Sequence, residues 1–516
     1  MLPYESVLPE GPAGRRWKVL RAAAYAMLLA TAVAPVVQFQ YGTARNLRKA
    51  EEFQRRQAAG LTAPGEEPPK GHKGAVARWR LAVRQFWEGR NIYLKPSPAG
   101  SRDAGIGDDE VLLHPNMPFV VVLLSPFAYL PTATMAMVYN ALKLLVLAGA
   151  FLLAVRVADD GERRMPDRVA ALGLLWALSF IIGDIQHGNT NVFVLGAIAL
   201  HLWLYRRGRD LAAGTALALA ICLKMTPALF VLYWLHQRNW RLLAGTAAAL
   251  AVCAIVVPAV ASVGMCGWDA DRGLDHFRTL TATWLDNLIL PGLVKGSWYP
   301  IHINQSLPAV IGRYFFAEPS QWGNIFWNPD DNPYAAQRQF QWIAVADLPE
   351  PVVKMIVRAC QAVIVGLTAW AIGWRKLPRD DGRRGLHYAL VLLCMMLLNQ
   401  RTWDHHAAVL LPASLAVWHA IDGGRGGKTA SAVALAFVIL AGLCVWLTSQ
   451  TVLVGAMRLA GMDRQSAGHA ADVVDAYGPT FAHFLLMFLA AVVLAGGMKK
   501  VEPEYPPPGG IDRAPR

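Results

Sequence analysis

The residues best suited to chemistry lie in one polar stretch between two apolar segments. Residues 399–406 read Asn-Gln-Arg-Thr-Trp-Asp-His-His, and apolar residues precede and follow them. The carboxylate of Asp404 can accept a proton, the guanidinium of Arg401 can neutralise an anion, and the adjacent imidazoles of His405 and His406 can donate or accept hydrogen bonds. A charge held at mid-bilayer costs about 2.5–3.5 kcal/mol. Such groups therefore indicate a site that faces a polar cavity or the headgroup layer.

Three further polar stretches interrupt the apolar sequence, at residues 187–191, 224–227 and 304–306. The ammonium of Lys224 suits a phosphate, and the amides suit a hydroxyl-rich ligand such as a sugar. These predicted sugar- or acceptor-binding amides are Asn189, Asn191, Asn304 and Gln305. Each amide also has a structural interpretation, because Asn and Gln at helix ends are often caps.

The composition is that of a polytopic α-helical membrane protein. Of the 516 residues 55% are hydrophobic and only 16% are charged, and apolar segments of membrane-spanning length recur along the chain. The formal net charge of +13 comes from Lys and Arg in short clusters at predicted helix ends, which is typical of membrane topology rather than of a nucleic-acid-binding face. The six cysteines form no CxxC pair and keep no metal-ligand spacing with histidine, so the sequence predicts neither a disulfide framework nor a metal site.

The basic clusters and polar stretches give a consistent topology of about twelve spans with the N-terminus in the cytoplasm. Residues 1–18 form a cytoplasmic N-terminus, residues 19–498 one transmembrane domain, and residues 499–516 a cytoplasmic tail rich in Pro and Gly. The first apolar segment, residues 19–37, resembles a secretory signal but is long enough to be an uncleaved anchor. In this topology every short basic loop is cytoplasmic and all four polar stretches are extracytoplasmic. The richness in Ala, Arg and Gly is typical of high-GC bacteria, so we expect the bacterial inner membrane.

Two long extracytoplasmic loops are predicted, at residues 38–118 and 264–351. In the first, residues 78–87 have an apolar helical face, which suits either a helix in the membrane interface or one that packs against the bundle. Residues 119–130 are too short to span and are predicted to be re-entrant or interfacial. The second loop carries tryptophans that could stack on sugar faces or anchor in the interface, namely Trp298, Trp322 and Trp327.

Four predicted helices begin at the outer side, after Pro131, Asn189, Thr226 and Thr402. The first turn of a helix carries unsatisfied N–H donors and about half a positive charge. Thr226 followed by Pro227 has the order expected of a cap and the first helical position. Together with Lys224 and Arg401, these helix ends predict an anion site at membrane depth, and a lipid-linked phosphate or pyrophosphate suits it.

Five ordered motifs resemble glycosyltransferase family 87, which comprises integral-membrane mannosyltransferases of the GT-C superfamily that use polyprenyl-phosphate sugars. The motifs are His-Gly-Asn-Thr-Asn at 187–191, Tyr-Arg-Arg-Gly-Arg-Asp at 205–210, Leu-Lys-Met-Thr-Pro at 223–227, Asn-Gln-Ser-Leu at 304–307 and Thr-Trp-Asp-His-His at 402–406. The resemblance extends from about residue 92 to residue 420. The chain departs from the family in having Asn189 where the family has glutamine, and in having no acidic residue at 74–79, where the family places its expected catalytic base.

The resemblance implies an inverting transfer of a sugar, mannose in this family, from a polyprenyl monophosphate to an acceptor hydroxyl of a lipid or glycan. Such a transfer needs a carboxylate to take the acceptor proton and cationic groups to stabilise the departing phosphate. The candidate bases are Asp404, Asp184, residues 108–110 and residues 51–52, of which Asp404 and Asp184 are preferred because helices would hold them in place. The predicted phosphate contacts are Lys224, Arg401, His405, His406 and His114. No metal and no cofactor beyond the donor substrate are expected.

Two other functions fit the same residues. A lipid-linked glycan flippase would use the same anion site, but it should have related halves or a polar path across the membrane. The sequence contains no internal repeat, and its polar stretches lie on one predicted face, which favours the enzyme. A catalytically inactive relative that binds glycolipid is the third interpretation, because the expected acid is missing.

Overall fold

Helices make up nearly all the regular structure, as the composition predicts. The computed structural model describes residues 12–63, 75–93, 116–159, 164–290, 302–315 and 343–501, and no strand occurs among them. In the N-terminal part of the chain these helices are α1 (Pro12–Ala58), α2 (Ala75–Trp87), α3 (Pro118–Ala128), α4 (Thr132–Ala158) and α5 (Asp167–His187).

A series of shorter helices follows. They are α6 (Asn191–Arg206), α7 (Asp210–Leu223), α8 (Leu229–His236), α9 (Trp240–Ala251), α10 (Val257–Met265), α11 (Ala270–Trp284) and α12 (Leu307–Phe315). A 3₁₀ turn at Thr226–Ala228 precedes α8, and π turns at Val252–Val256 and Leu285–Ile289 follow α9 and α11.

The C-terminal part returns to longer helices. They are α13 (Glu350–Ile372), α14 (Arg384–Leu397), α15 (Leu411–Asp422), α16 (Lys428–Trp446), α17 (Gln450–Leu459), α18 (Arg464–Ala476) and α19 (Pro479–Val501). A 3₁₀ segment at Asp404–Leu410 leads directly into α15.

Six segments of the described chain are long and apolar enough to cross a membrane. They are Thr132–Ala158, Asp167–His187, Trp240–Met265, Glu350–Ile372, Lys428–Trp446 and Arg464–Met498. Four shorter apolar helices, α3, α6, α7 and α14, add to them. The protein is therefore an all-helical, multi-span membrane protein, and the sequence-based number of about twelve spans stays a prediction.

The centre of the bundle is formed by α14 and α15. In α14 every residue except Gly385 is buried, and every residue of α15 up to Ala420 is buried as well. Helix α15 packs on α4, α5, α14 and α19. Because the two helices are surrounded by others, they carry apolar residues on all sides, which is expected for helices in the middle of a bundle.

Helices α7 and α9 cross at very close range. A Cβ on Gly214 would lie 2.2 Å from the carbonyl oxygen of Leu242, and one on Gly245 would lie 2.6 Å from that of Leu211. The two glycines thus allow backbone-to-backbone packing, as small residues do between membrane helices.

The polar groups of the bundle lie mainly at its two ends. At the end that carries the basic loops, Arg379 makes a two-pronged ion pair with Asp210, at 2.6 and 2.8 Å, and Arg168 donates to Asp422 at 2.9 Å. The polar stretches 187–191, 224–227, 304–306 and 399–406 lie together at the opposite end, where hydrogen bonds join them. Their extracytoplasmic position stays a prediction.

Two predicted segments differ in the structure. Residues 38–58 are a continuation of α1 rather than the start of a loop, because no proline follows residue 37 in this segment and residues 43–58 are mostly strong helix formers, which outweigh the single Gly42. The resulting helix of 47 residues is about 70 Å long, more than twice the hydrocarbon thickness. The predicted second loop contains α11 and α12.

Helix α2 settles a choice that the sequence left open. It packs against α3 through an apolar face that includes Val83 and Phe86, which are fully buried. The Arg80 guanidinium donates to the carbonyl oxygens of Ala128 and Leu130 at 3.1 and 2.8 Å. The structure thus favours packing against the bundle over a position in the membrane interface.

Candidate active site

The stretch 399–406 is held by the stretch 304–306. Asn304 receives the Thr402 N–H through Oδ1 at 3.0 Å and donates to the Gln400 carbonyl at 3.0 Å. The Gln305 N–H donates to the Thr402 carbonyl at 2.6 Å, and the Ser306 hydroxyl to the Gln400 carbonyl at 2.9 Å. Asn304 and Gln305 are buried, and they support the loop backbone through the Asn304 amide and the Gln305 backbone N–H, while the Gln305 amide donates to the His302 and Asp475 carbonyls.

The turn between α5 and α6 is shaped by Gly188. This residue caps the C-terminus of α5 with φ +65°, which favours glycine, and a Cβ would lie 2.4 Å from Val76 Cγ2. Its N–H bonds to carbonyls of the last turn of α5. The next residue, Asn189, thereby points its amide at His405, with Nδ2 and Nε2 2.7 Å apart.

Asp184 is the centre of a fully buried polar network. Its Oδ2 receives Lys143 Nζ at 2.7 Å, and both side chains are inaccessible to solvent. Its Oδ1 receives the backbone N–H of Asn191 at 3.1 Å and the Asn191 amide at 2.9 Å. Asp184 is therefore part of a buried ion pair and caps the N-terminus of α6. Its negative charge occupies the helix N-terminus that was predicted to bind an anionic ligand.

Lys224 is connected to this network from the other side. Its ammonium donates to Asn191 Oδ1 at 2.8 Å, which completes the chain Lys143–Asp184–Asn191–Lys224. Burial lowers the pKa of Lys224 to about 7, while the charge of Asp184 acts in the opposite direction. An anion bound next to Lys224 would favour its charged form.

Three imidazoles lie beside Lys224. The rings of His187 and His405 are 4.8 Å apart, and so are those of His405 and His406. Burial lowers the pKa of both His405 and His406 well below the ordinary value of 6.5, and the positive charge of Lys224 acts in the same direction on each. The predicted phosphate contacts at these positions are therefore neutral rings that offer hydrogen bonds rather than charge.

Asp404 begins the 3₁₀ segment beside these rings. Its side chain is accessible to solvent, yet the protein surrounds it closely enough that desolvation raises its pKa to about 6, while a hydrogen bond from Thr480 acts in the opposite direction. Of the two preferred carboxylates, only Asp404 is both accessible and free of a buried ion pair. A carboxylate with a pKa near 6 suits general-base chemistry near neutral pH.

The predicted helix start at Thr226 differs from the structure in one detail. Thr226 begins a 3₁₀ turn after Met225 and does not cap it, and its Oγ1 is buried without a hydrogen bond. The break itself is confirmed, because α7 ends at Leu223 and α8 begins at Leu229. It exists because Pro227 lacks the N–H that would continue a helix from α7.

The structure adds residues that sequence reasoning missed. Lys143 lies within an apolar helix. The sequence signal was a charged residue inside a segment of membrane-spanning length, where such a residue usually has a function or an ion-pair partner. Thr480 and Asp475 lie near the junction of α18 and α19, where the sequence indicates only a Gly-Pro turn before an apolar helix.

Several predicted site residues lie outside the described residues. They are His114, residues 108–110, Trp298, Trp322 and Trp327. Residues 51–52 are exposed on α1. Among the side chains that the structure does describe, no group of three His, Cys, Asp or Glu could hold a metal ion.

In a comparison with known families, residues 116–400 match the family described as Glycosyltransferase family 87. The match covers more than half of the chain and includes the stretches around Asn189, Lys224 and Asn304, and it ends just before Arg401. No curated protein and no solved structure matches the chain significantly.

Proposed function

This chain belongs to glycosyltransferase family 87 and is a membrane glycosyltransferase, and we propose that it transfers mannose from a polyprenyl-phosphate donor to a hydroxyl of a lipid or glycan acceptor. We propose further that the transfer inverts the anomeric carbon. It takes place at the extracytoplasmic face of a bacterial inner membrane, with both termini in the cytoplasm.

One observation carries the proposal. Lys224, Asn191, Asn189 and His405 come from three separate parts of the chain, and hydrogen bonds of 2.7–2.8 Å link them pairwise at one end of the bundle. This end combines a lysine, neutral hydrogen-bonding rings and an accessible carboxylate. A phosphate-linked sugar needs these three types of group, for its phosphate, its hydroxyls and its acceptor proton respectively.

In the proposed step, the acceptor oxygen attacks the anomeric carbon while the bond from that carbon to the phosphate oxygen breaks. Asp404 takes the acceptor proton, and the polyprenyl phosphate leaves with the bonding electron pair. Lys224 and Arg401 stabilise the growing charge on the phosphate, and His405 and His406 donate hydrogen bonds as neutral rings. Asn189 and Asn191 orient the sugar or the groups that touch it.

Asp184, Asn304 and Gln305 have positioning roles in this proposal. Asp184 holds Lys143 and Asn191, and through Asn191 it fixes the ammonium of Lys224. Asn304 and Gln305 fix the backbone from Gln400 to Thr402, two residues before Asp404. This division follows from the contacts, because Asp184 is held in a buried ion pair and the side-chain amides of Asn304 and Gln305 are already bonded to backbone groups.

The test uses purified full-length protein in nanodiscs with radiolabelled polyprenyl-phosphate mannose and a membrane-lipid extract of the source organism. We expect transfer by wild type, loss of at least about a hundredfold in Asp404→Asn, and donor affinity weakened by about tenfold or more in Lys224→Met. Asp422→Asn removes a carboxylate at the opposite end of the bundle and serves as the matched control with wild-type rates.

The outcomes separate the parts of the proposal. Retention of full activity by Asp404→Asn would move the base elsewhere, and Asp184→Asn assayed in parallel tests the other carboxylate. Saturable donor binding by wild type without transfer to any lipid in the extract would contradict the enzymatic proposal and favour a glycolipid-binding or flipping protein. Transfer only from a donor with another sugar would correct the sugar and leave the reaction in place.

A further inference from the structure

Asn189 contacts His405 through one nitrogen of each side chain, and the donor in this contact can be identified. The Asn189 amide nitrogen Nδ2 lies 2.7 Å from the His405 ring nitrogen Nε2. The Asn189 oxygen Oδ1 accepts the backbone N–H of Thr190 at 3.0 Å, which fixes the orientation of the amide. Because an amide NH₂ group can only donate, His405 Nε2 is the acceptor in this contact.

The backbone of Asn189 is bonded on both sides as well. Its carbonyl accepts the Tyr139 hydroxyl at 3.0 Å, and its N–H donates to the carbonyl of Asp184 at 3.2 Å. Turning the amide over would break the hydrogen bond with Thr190 and gain no other donor for Oδ1 than a protonated His405. The contacts therefore keep the amide nitrogen, and not its oxygen, against the imidazole.

This contact determines which ring nitrogen of His405 carries the proton. In a neutral imidazole one nitrogen is a donor and the other an acceptor, so a ring that accepts at Nε2 carries its proton on Nδ1. His405 Nδ1 has no hydrogen-bond partner among the described residues and is not one of their fully buried polar atoms. The ring thus has one free polar group, and that group is the donor Nδ1–H.

The neighbouring ring, His406, carries its proton on the other nitrogen. Its Nδ1 accepts the backbone N–H of Trp403 at 3.3 Å, so a neutral His406 is protonated on Nε2. The two ring centroids are 4.8 Å apart and the ring planes stand at 88°. Two adjacent imidazoles are therefore held in opposite tautomers, His405 by a side chain and His406 by the backbone.

The charges around His405 also favour a neutral ring. Burial lowers the pKa of His405, and its ionisable neighbours act in the same direction when they are protonated. These neighbours are His187 at the end of α5, His406 on the same stretch, Lys224 after α7 and Lys143 on α4, and Asp404 precedes His405 in the sequence. The hydrogen bond from Asn189 then selects one of the two neutral forms.

We infer that Asn189 is a positioning residue that fixes His405 as the Nδ1–H tautomer and so makes this imidazole a hydrogen-bond donor only. The lone pair that could abstract a proton is occupied by the Asn189 amide, so His405 cannot take the acceptor proton and leaves this task to a carboxylate. Its free Nδ1–H suits an oxygen acceptor such as a phosphate oxygen. The role in sugar transfer rests on the proposed function, whereas the tautomer does not.

The tautomer can be measured without turnover, by solid-state NMR of the full-length protein in nanodiscs with nitrogen-15-labelled histidine. Ring nitrogens with and without a proton have well-separated chemical shifts. Loss of signals in His405→Asn and in His406→Asn assigns the two rings among the 13 histidines. We expect wild-type His405 to carry a proton on Nδ1 and none on Nε2, and His406 to show the reverse.

Two substitutions change the group that faces His405 Nε2. Asn189→Asp replaces the donor by a carboxylate, which only accepts, and should place a proton on Nε2. Asn189→Leu removes the donor and should leave His405 as a mixture of both tautomers. The His406 signals should stay unchanged in both variants, because the partner of its Nδ1 is the backbone.

The matched control is Asn140→Leu. It makes the same change at a buried amide that has no hydrogen-bond partner among the described residues, and its spectrum should equal that of wild type. The transfer rate gives a second comparison. Loss of one hydrogen bond in Asn189→Leu should lower the rate about two- to tenfold, and Asn140→Leu should keep the wild-type rate. A merely structural role of Asn189 would lower the rate and leave the tautomer unchanged.

Three results would overturn the inference: a proton on Nε2 of wild-type His405, a bare Nε2 in Asn189→Asp, or an unchanged single tautomer in Asn189→Leu. The expected tautomers in a wild-type protein that transfers no sugar would sustain the assignment to Asn189 and refute the proposed function. Sugar transfer by a wild-type protein with a protonated His405 Nε2 would do the reverse.

Discussion

Asp184 and Asp404 show how two carboxylates near one site acquire different roles from their surroundings. Asp184 has no accessible surface and is bonded to Lys143 and Asn191, so its charge is compensated within the protein. Asp404 is accessible and lies outside this buried network. Residue type and spacing could nominate both as bases, but only burial and partners distinguish them, and these depend on contacts between distant segments.

The Lys143–Asp184 pair gives a stability prediction. Lys143→Met leaves a buried, uncompensated carboxylate and should lower the free energy of unfolding by about 3–5 kcal/mol, while Lys143→Met combined with Asp184→Asn should regain most of the loss. Unfolding by an SDS titration in mixed micelles measures both.

The matched control is Lys354→Met. Its ammonium pairs with Glu350 at 2.6 Å, but the two side chains are 38% and 45% exposed, so the change should be below about 0.5 kcal/mol. A Lys143→Met variant as stable as this control would show that the buried pair contributes no net stability.

At the scale of elements, the points where helices break were easier to predict from the sequence than the full lengths of continuous helices. The break between α7 and α8 could be read from Lys224 to Pro227, because proline cannot continue a helix. The length of α1 could not be predicted, since a change from apolar to charged residues marks a change of surroundings and not the end of a helix. The close crossing of α7 and α9 depends on which glycines face each other, which periodicity alone does not reveal.

That crossing gives a second stability prediction. Gly214→Ala would place a Cβ 2.2 Å from the Leu242 carbonyl and force the helices apart, which should cost about 1–3 kcal/mol. Gly366→Ala in α13 is the control, because a Cβ there meets nothing within 4 Å, and it should be neutral or slightly stabilising. Equal unfolding free energies for the two variants in the same SDS titration would contradict the close-packing explanation.

At the scale of the whole molecule, the two ends of the bundle differ in chemistry. Ion pairs such as Arg379–Asp210 and exposed basic residues lie at one end, and hydrogen-bonding amides, imidazoles and Asp404 lie at the other. The sequence predicted this separation because basic residues recur at every second loop. It could not predict which polar groups touch, because those contacts join separate segments, such as Asn191 with Lys224, 33 residues apart, and Asn189 with His405, 216 residues apart.

The separation predicts the sidedness of the protein. In a variant without its six native cysteines, Met462→Cys, between α17 and α18, should react with a membrane-impermeant maleimide in intact cells. Lys376→Cys, exposed between α13 and α14, should react only after the cells are permeabilised. The reverse pattern would place the candidate site in the cytoplasm and rule out an external acceptor.

The buried pair also bears on how the chain enters the membrane during synthesis. Lys143 and Asp184 lie on consecutive helices, α4 and α5, and each would meet lipid with an unpaired charge if its helix left the translocon alone. Exit of the two helices together as a hairpin removes that barrier, because each charge then carries its partner with it. The ion pair that fixes Asn191 thus also favours insertion of α4 and α5 as one unit.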